Sequence, residues 1–149
     1  MPKKETLERA ERDKRQGKSP STQAGEFVRE EIEDIRAGKH GARSTKQAIA
    51  IGLSKARRAG VKLAPPRKGA TSDEVRHKAE RDLEKGKTHR KVSRKRSLAT
   101  TRALKREGRA AASKAALSRQ ARSAAAKRTK SERAASAKKA ARTRAERQK

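Results

Sequence analysis

Residues 44–60 read Ser44-Thr45-Lys46-Gln47-Ala48-Ile49-Ala50-Ile51-Gly52-Leu53-Ser54-Lys55-Ala56-Arg57-Arg58-Ala59-Gly60, and how this stretch folds decides the class of the protein. Two periods compete in it. Ala48-Ile49-Ala50-Ile51 alternates like a strand, whereas Ile49, Gly52, Leu53 and Ala56 share one face at helical spacing. The ends settle the choice. Ser44 followed three residues later by Gln47 is a capping box, and Gly60 can take the left-handed backbone that closes a helix. The spacing therefore predicts a helix ending at Ala59. Lys46, Lys55, Arg57 and Arg58 fall off the apolar face. Ile51 points nearly opposite to it, so it is exposed or reserved for a protein partner.

Upstream, Ser19-Pro20-Ser21-Thr22 is a start signal for a second helix running to about Ala37. Val28, Ile32 and Ile35 make its narrow stripe, with Phe27 at the edge, and Gly38 suits the C′ position. Residues 19–64 thus read as a helical hairpin with Ile49 facing Ile32 and Ile35. Its connection, Gly38 to Arg43, is longer than the turn of a helix-turn-helix. Gln47 is the only amide on the helix that would read bases. The hairpin therefore reads as an anchor for basic arms. Residues 1–18 form a charged helix over 3–16, with Glu5–Arg9, Glu8–Arg12 and Glu11–Arg15 at i,i+4 and only Leu7 as a large apolar residue, so it packs weakly.

Downstream, Pro65-Pro66 forces an extended linker over 65–70. Residues 71–92 hold a short helix, opened by Thr71-Ser72-Asp73-Glu74 and ending near Gly86, then a basic turn. Val75, Ala79 and Leu83 make its stripe. Residues 93–149 are a tail of Ala, Arg, Lys and Ser. These are good helix formers apart from Ser, but like charge opposes helix in the free chain. The expected fold is mostly α: small helical hairpins with a long basic, Ala-rich tail that is disordered or partly helical. A repeat at an offset of 48 aligns Phe27, Ile35, Gly38-Lys39 and Gly60 with Val75, Leu83, Gly86-Lys87 and Gly108.

Composition limits the core. Leu, Ile, Val and Phe number 16 of 149 residues, while Ala numbers 28. That little apolar area offsets the entropy of ordering only a small unit. The formal charge is +28 and it is segregated. Residues 1–38 carry nine basic and nine acidic groups, and 39–70 carry nine basic and none acidic. Residues 71–86 are net −1, and 87–149 carry 23 basic and three acidic groups. So much like charge repels itself unless a polyanion lies nearby. The longest apolar run, Ala48 to Leu53, falls far short of the ~20 residues of a membrane span. Met1 to Lys18 lacks the apolar region of a signal peptide.

The motifs point away from catalysis. There is no cysteine, and His40, His77 and His89 have no metal-ligand spacing. Neither phosphate-loop nor dinucleotide-binding glycine motifs occur. The expectation is no enzyme, no cofactor, no metal and no small-molecule substrate. Basic side chains on phosphates release counterions without reading sequence, and Arg also forks onto phosphate oxygens. The candidate nucleic-acid-binding residues are Lys46, Lys55, Arg57, Arg58 and Lys62 in the first half. In the second they are Arg90, Lys91, Arg94, Lys95, Arg96, Arg102, Lys105, Arg106, Arg109, Arg119, Arg122, Lys127, Arg128 and Lys130. Phe27 is the only aromatic, which weakens a base-stacking platform and leaves a duplex backbone. The expected function is non-sequence-specific DNA binding of the histone-like kind, with DNA favoured over RNA. The alternatives are an RNA- or ribosome-associated protein, and an adaptor that contacts a protein through Ile51 and carries a basic tail.

Residues 40–63, and above all Ser44-Thr45-Lys46-Gln47-Ala48-Ile49-Ala50-Ile51-Gly52-Leu53-Ser54, resemble an uncharacterised family of small basic bacterial proteins. Their shared core reads Ser-x-Lys-Gln-Ala-Ile-Ala-Ile, then Ala or Gly, then Leu-Ser. The resemblance implies a bacterial cytoplasmic protein, nucleoid-associated if the charge acts on DNA, and implies no activity. The tail looks like the Ala/Lys-rich extensions of linker histones and bacterial histone-like proteins, without their prolines.

Overall fold

The computed structural model describes residues 1–88 and 93–146. These form seven α-helices and one 3₁₀ turn, and among the described residues there is no strand, only an isolated bridge between Lys68 and Thr71. The mostly α expectation holds. The chain divides into two units, Met1–Ser113 and Lys114–Lys149.

The first unit begins with α1 (Lys4–Arg15) and α2 (Pro20–Arg36). Thr6, Ala10 and Asp13 are the buried face of α1, while Leu7 is 41% exposed. The expected Glu–Arg pairs along α1 give way to others. Arg9 reaches Glu26 of α2 at 2.6 Å, and Glu8 and Glu11 face Lys4 and Lys14 at 3.7 Å. Ser19 caps α2 by accepting from the Thr22 amide, with Pro20 in the first turn. Gly38 closes α2 at φ +75°, and the Lys39 amide returns to the Asp34 carbonyl. Phe27 lies at the centre of the buried surface rather than at its edge, because α2 is covered by α1 on one side and α3 on the other.

The decisive stretch is helical, as α3 (Thr45–Arg58). Ser44 accepts from the Gln47 amide at 3.1 Å. Gln47 reaches back one residue further than expected, to the Arg43 amide at 2.7 Å. The buried seam is Thr45, Ala48, Gly52 and Ala56, with Ile49, Leu53 and Ile51 half-buried beside it. Small residues take the seam because α2 and α3 cross closely. A Cβ on Gly52 would lie 2.6 Å from the Val28 Cα. The core around this crossing is Ala10, Ala24, Phe27, Ala56 and Val61, edged by Leu53, Ala59 and Leu63.

Extended chain through Pro65-Pro66 leads to α4 (Asp73–Thr88), which packs on α3 through Ala79, Asp82 and Gly86. Val75, expected on this face, is 45% exposed. A Cβ on Gly86 would sit 2.2 Å from the Arg57 carbonyl oxygen. Gly86 therefore lies inside a helix at a tight crossing, whereas Gly38 ends one. The two halves of the proposed repeat share spacing without sharing backbone roles.

Next come α5 (Arg94–Lys105), which buries none of its residues, and the 3₁₀ turn Ala110–Ala112. The segment from Leu104 to Ala112 straps onto the hairpin. Gly41 and Ala42 donate to the Leu104 and Gly108 carbonyls at 2.9 and 3.1 Å. Thr45 Oγ1 and Arg36 Nε donate to the Ala111 and Ala112 carbonyls at 2.7 and 2.8 Å. Ala112 is fully buried. The first unit thus reaches past residue 93, where composition alone starts the tail.

The second unit holds α6 (Lys114–Ala126) and α7 (Lys130–Glu146), neither with a buried residue. Thr129 and Glu132 form a reciprocal capping box at the start of α7, at 3.2 and 2.8 Å. Like-charge repulsion is weaker here than the charge density suggests. Four residues after Arg119, Arg122 and Arg133 stand Ser123, Ala126 and Ala137, so these cations have no charged i,i+4 neighbour on that side.

Gly52 and Gly25 give opposite tests of this packing. Gly25 lies in α2 with nothing within 4 Å of an added Cβ, so Gly25→Ala should stabilise by about 0.5–1 kcal/mol. Gly52→Ala presses on backbone and should cost roughly 1–3 kcal/mol. Urea denaturation of both variants measures this, and equal shifts would contradict the close crossing.

Candidate nucleic-acid interface

The acids of the first unit are largely consumed inside it. Glu30 and Glu31, neighbours on α2, are 1% and 0% exposed. Lys55 reaches them from α3, with Nζ 2.6 Å from Glu31 Oε2 and 3.7 Å from Glu30 Oε1. Glu30 Oε2 also accepts from the Lys3 amide at 3.0 Å. No Glu31 oxygen accepts an aligned hydrogen bond, so proximity of charge holds this contact. His40 Nδ1 lies 3.1 Å from the Gly41 carbonyl, and its Nε2 lies 3.4 Å from Glu31 Oε1. Both ring nitrogens thus face oxygens that only accept.

Asp34 takes two ammonium groups, Lys3 at 2.7 Å and Lys39 at 2.9 Å. Burial pushes its pKa up, but the hydrogen bonds from Lys3 and Lys39 outweigh this and hold the carboxyl below the usual range. Asp13 pairs with Lys18 at 2.6 Å. Asp82 accepts from Arg58 at 2.7 Å and from Ser54 at 2.6 Å.

This accounting sorts the basic residues that the sequence offers for nucleic acid. Lys55 and Arg58 are spent on Glu30, Glu31 and Asp82. Arg57 is 7% exposed and donates to the Leu63 and Ala64 carbonyls at 3.1 and 3.2 Å, clamping the chain that leaves α3. Its burial pushes the pKa down, against the nearby Asp82 charge. These three side chains serve the fold. Lys46 and Lys62 are exposed. Arg90 and Lys91, like His89, lie outside the described residues.

The remaining candidates are all exposed: Arg94, Lys95, Arg96, Arg102 and Lys105 on α5, then Arg106 and Arg109. In the second unit Arg119, Arg122, Lys127, Arg128 and Lys130 are exposed too. Along α5, Arg94, Leu98, Arg102 and Lys105 follow at spacings of four, four and three, which puts them on one face. Leu98 on that face is 48% exposed. Ile51, offered to a protein partner from its place on the wheel, is half-buried.

Sequence reasoning missed the concave part of the basic surface. Gly38, Lys39, His40, Lys105, Glu107, Gly108 and Arg109 line an open cleft of about 670 Å³. Lys39 and His40 open the acid-free block 39–70, the only sequence signal that pointed to them. Among the described residues no group of His, Asp and Glu is placed to hold a metal ion. Nor is any helix long and apolar enough to cross a membrane.

Residues 11–68 match the model of a family of unknown function (DUF6496), a span that holds the end of α1, all of α2 and α3, and the chain through Pro65-Pro66. No curated protein and no solved structure is significantly similar to the chain.

The division between spent and free cations has a measurable consequence. Lys55→Met strands Glu30 and Glu31 without their cation and should cost about 3–5 kcal/mol. Lys46→Met, on the surface of the same helix, should stay within about 0.5 kcal/mol. Thermal and urea unfolding compare them, and a mild Lys55→Met would show that the buried acids have no need of the pair.

Proposed function

We propose that the chain binds duplex DNA through its phosphate backbone, without reading bases, and coats or compacts it. One observation carries the reading. Residues 85–131 hold 17 basic residues against the single acid Glu107, whereas most acids of α1, α2 and α4, though not Glu5 or Asp73, are engaged in ion pairs. The fold thus neutralises most of the acids that would repel a polyanion. What it leaves outward is a run of unopposed cations along α5, the turn after it, α6 and the start of α7. Each cation that meets a phosphate releases a condensed counterion, and this term is blind to sequence.

The choice of duplex over single strand rests on Phe27. It is the only aromatic residue, and it is 1% exposed. The surface therefore has no aromatic ring on which unpaired bases could stack, and stacking is what single-strand binders use. In a bacterial cell such a protein would lie on the nucleoid.

Fluorescence anisotropy against salt tests the reading. Contact with ~8 phosphates predicts a slope of log K on log salt near −7. Duplexes of scrambled sequence should bind within roughly threefold, because a single good base contact would be worth ~1–3 kcal/mol. A slope shallower than about −2 contradicts phosphate binding. Equal competition by structured RNA would move the function to RNA.

A further inference from the structure

We propose that the cleft between the α2–α3 turn and the end of α5 is a seat for one backbone phosphate of the bound duplex. This rests on the duplex reading above and adds a fixed point to it. Most of the basic surface consists of long side chains on solvent-exposed helices, which meet phosphates in no set register. The cleft differs in being built.

Backbone hydrogen bonds hold its two walls together. Gly41 and Ala42 of the turn donate to the Leu104 and Gly108 carbonyls at 2.9 and 3.1 Å. The walls meet so closely that a Cβ on Gly41 would lie 2.0 Å from the Glu107 carbonyl oxygen. Arg109 folds across Gly38, its Nη1 3.4 Å from where a Cβ would stand. Gly38 is required by its φ of +75°, and the guanidinium lies above it at ordinary contact distance. Gly108 has nothing within 4 Å of an added Cβ, so that part of the floor is open main chain.

The charge suits a phosphate diester. Lys39, Lys105 and Arg109 line the cleft, with Glu107 as the one acid among the lining residues. Lys39 shares Asp34 with Lys3, so that trio is net positive by one. Lys3, Lys39, Lys105 and Arg109 against Asp34 and Glu107 leave two positive charges. The C-terminal ends of α2 and α5 also face this region, and each acts as about half a negative charge. The balance is about one positive charge, enough for one diester. Complementing two helix ends alone would leave no surplus. Arg109 can also fork onto phosphate oxygens, and Lys105 adds a compact charge beside it.

The test uses the full chain and a short DNA duplex. Lys105→Gln/Arg109→Gln removes two cations from the cleft. Arg133→Gln/Lys138→Gln removes two from exposed positions on α7. The cleft pair should weaken binding at least about tenfold and make the salt slope shallower by about 0.9, the share of one phosphate. The α7 pair should cost less than about threefold. A second readout needs no variant: duplex should slow chemical acetylation of Lys105 more than that of Lys138. Equal loss from both pairs, or equal protection of both lysines, overturns the seat and leaves the duplex reading standing. Failure of the unaltered chain to bind duplex overturns both.

Discussion

The fold turns on a buried charge. Glu30 and Glu31 cannot enter the interior of α2 as bare carboxylates, because an unpaired buried charge costs several kcal/mol. Lys55 brings one positive charge from α3 within reach of both, and the Lys3 amide adds a hydrogen bond to Glu30. That contact requires the helices to lie close, and the Thr45-Ala48-Gly52-Ala56 seam makes the approach sterically possible. The 38–43 turn joins the two helices of this hairpin. The Leu104–Ala112 strap then bonds to it through Gly41, Ala42, Thr45 and Arg36. Remove the pair and each later contact loses its support. A buried ion pair adds little net stability over a well-packed apolar alternative. Here the cost of leaving either partner alone makes the pair indispensable.

The same pairing shapes the surface. A chain with 17 acids among 45 basic groups could present a mottled exterior. Instead Asp13, Glu26, Glu30, Glu31, Asp34 and Asp82 turn toward cations of their own unit, each at least half-buried. The cations left over belong mainly to the stretch after α4, where Glu107 is the lone acid before Glu132. Charge segregated in sequence becomes charge segregated between interior and exterior. On the proposed function, this arrangement lets one small protein keep acidic helices without repelling a phosphate backbone.

Much of the fold was legible because its signals are local. Ser19 and Ser44 caps, Gly38 and Gly60 stops and Pro65-Pro66 each act on neighbouring backbone, so residue type suffices to read them. The seam of α3 was read only in part because a helical wheel ranks hydrophobicity, while a close crossing ranks size. Gly52 and Ala56 stay on the buried face as expected, while Ala48 takes the place of Ile49 for that reason. The candidate interface was legible in part. Charge alone placed Lys55, Arg57 and Arg58 beside Lys46, and only the partners in space separate them. The strap escaped notice because it works through main-chain carbonyls of Leu104, Gly108, Ala111 and Ala112, which leave no mark in side-chain pattern. The Thr129–Glu132 capping box was written in the sequence and was overshadowed by the tail's composition.

On the proposed function, the first unit turns Asp13, Glu30, Glu31, Asp34 and Asp82 inward, and the cations of α5, of the adjoining turns and of α6 in the second unit meet phosphate. Amide chemical shifts of the full ¹⁵N-labelled chain, followed as duplex DNA is added, test it most directly. The account predicts shifts over the 38–43 turn and residues 94–130, with the buried faces of α1 and α2 unmoved and the Lys55 contacts intact. Shifts centred on α1 or α4, or a spectrum that duplex DNA does not change, would contradict it.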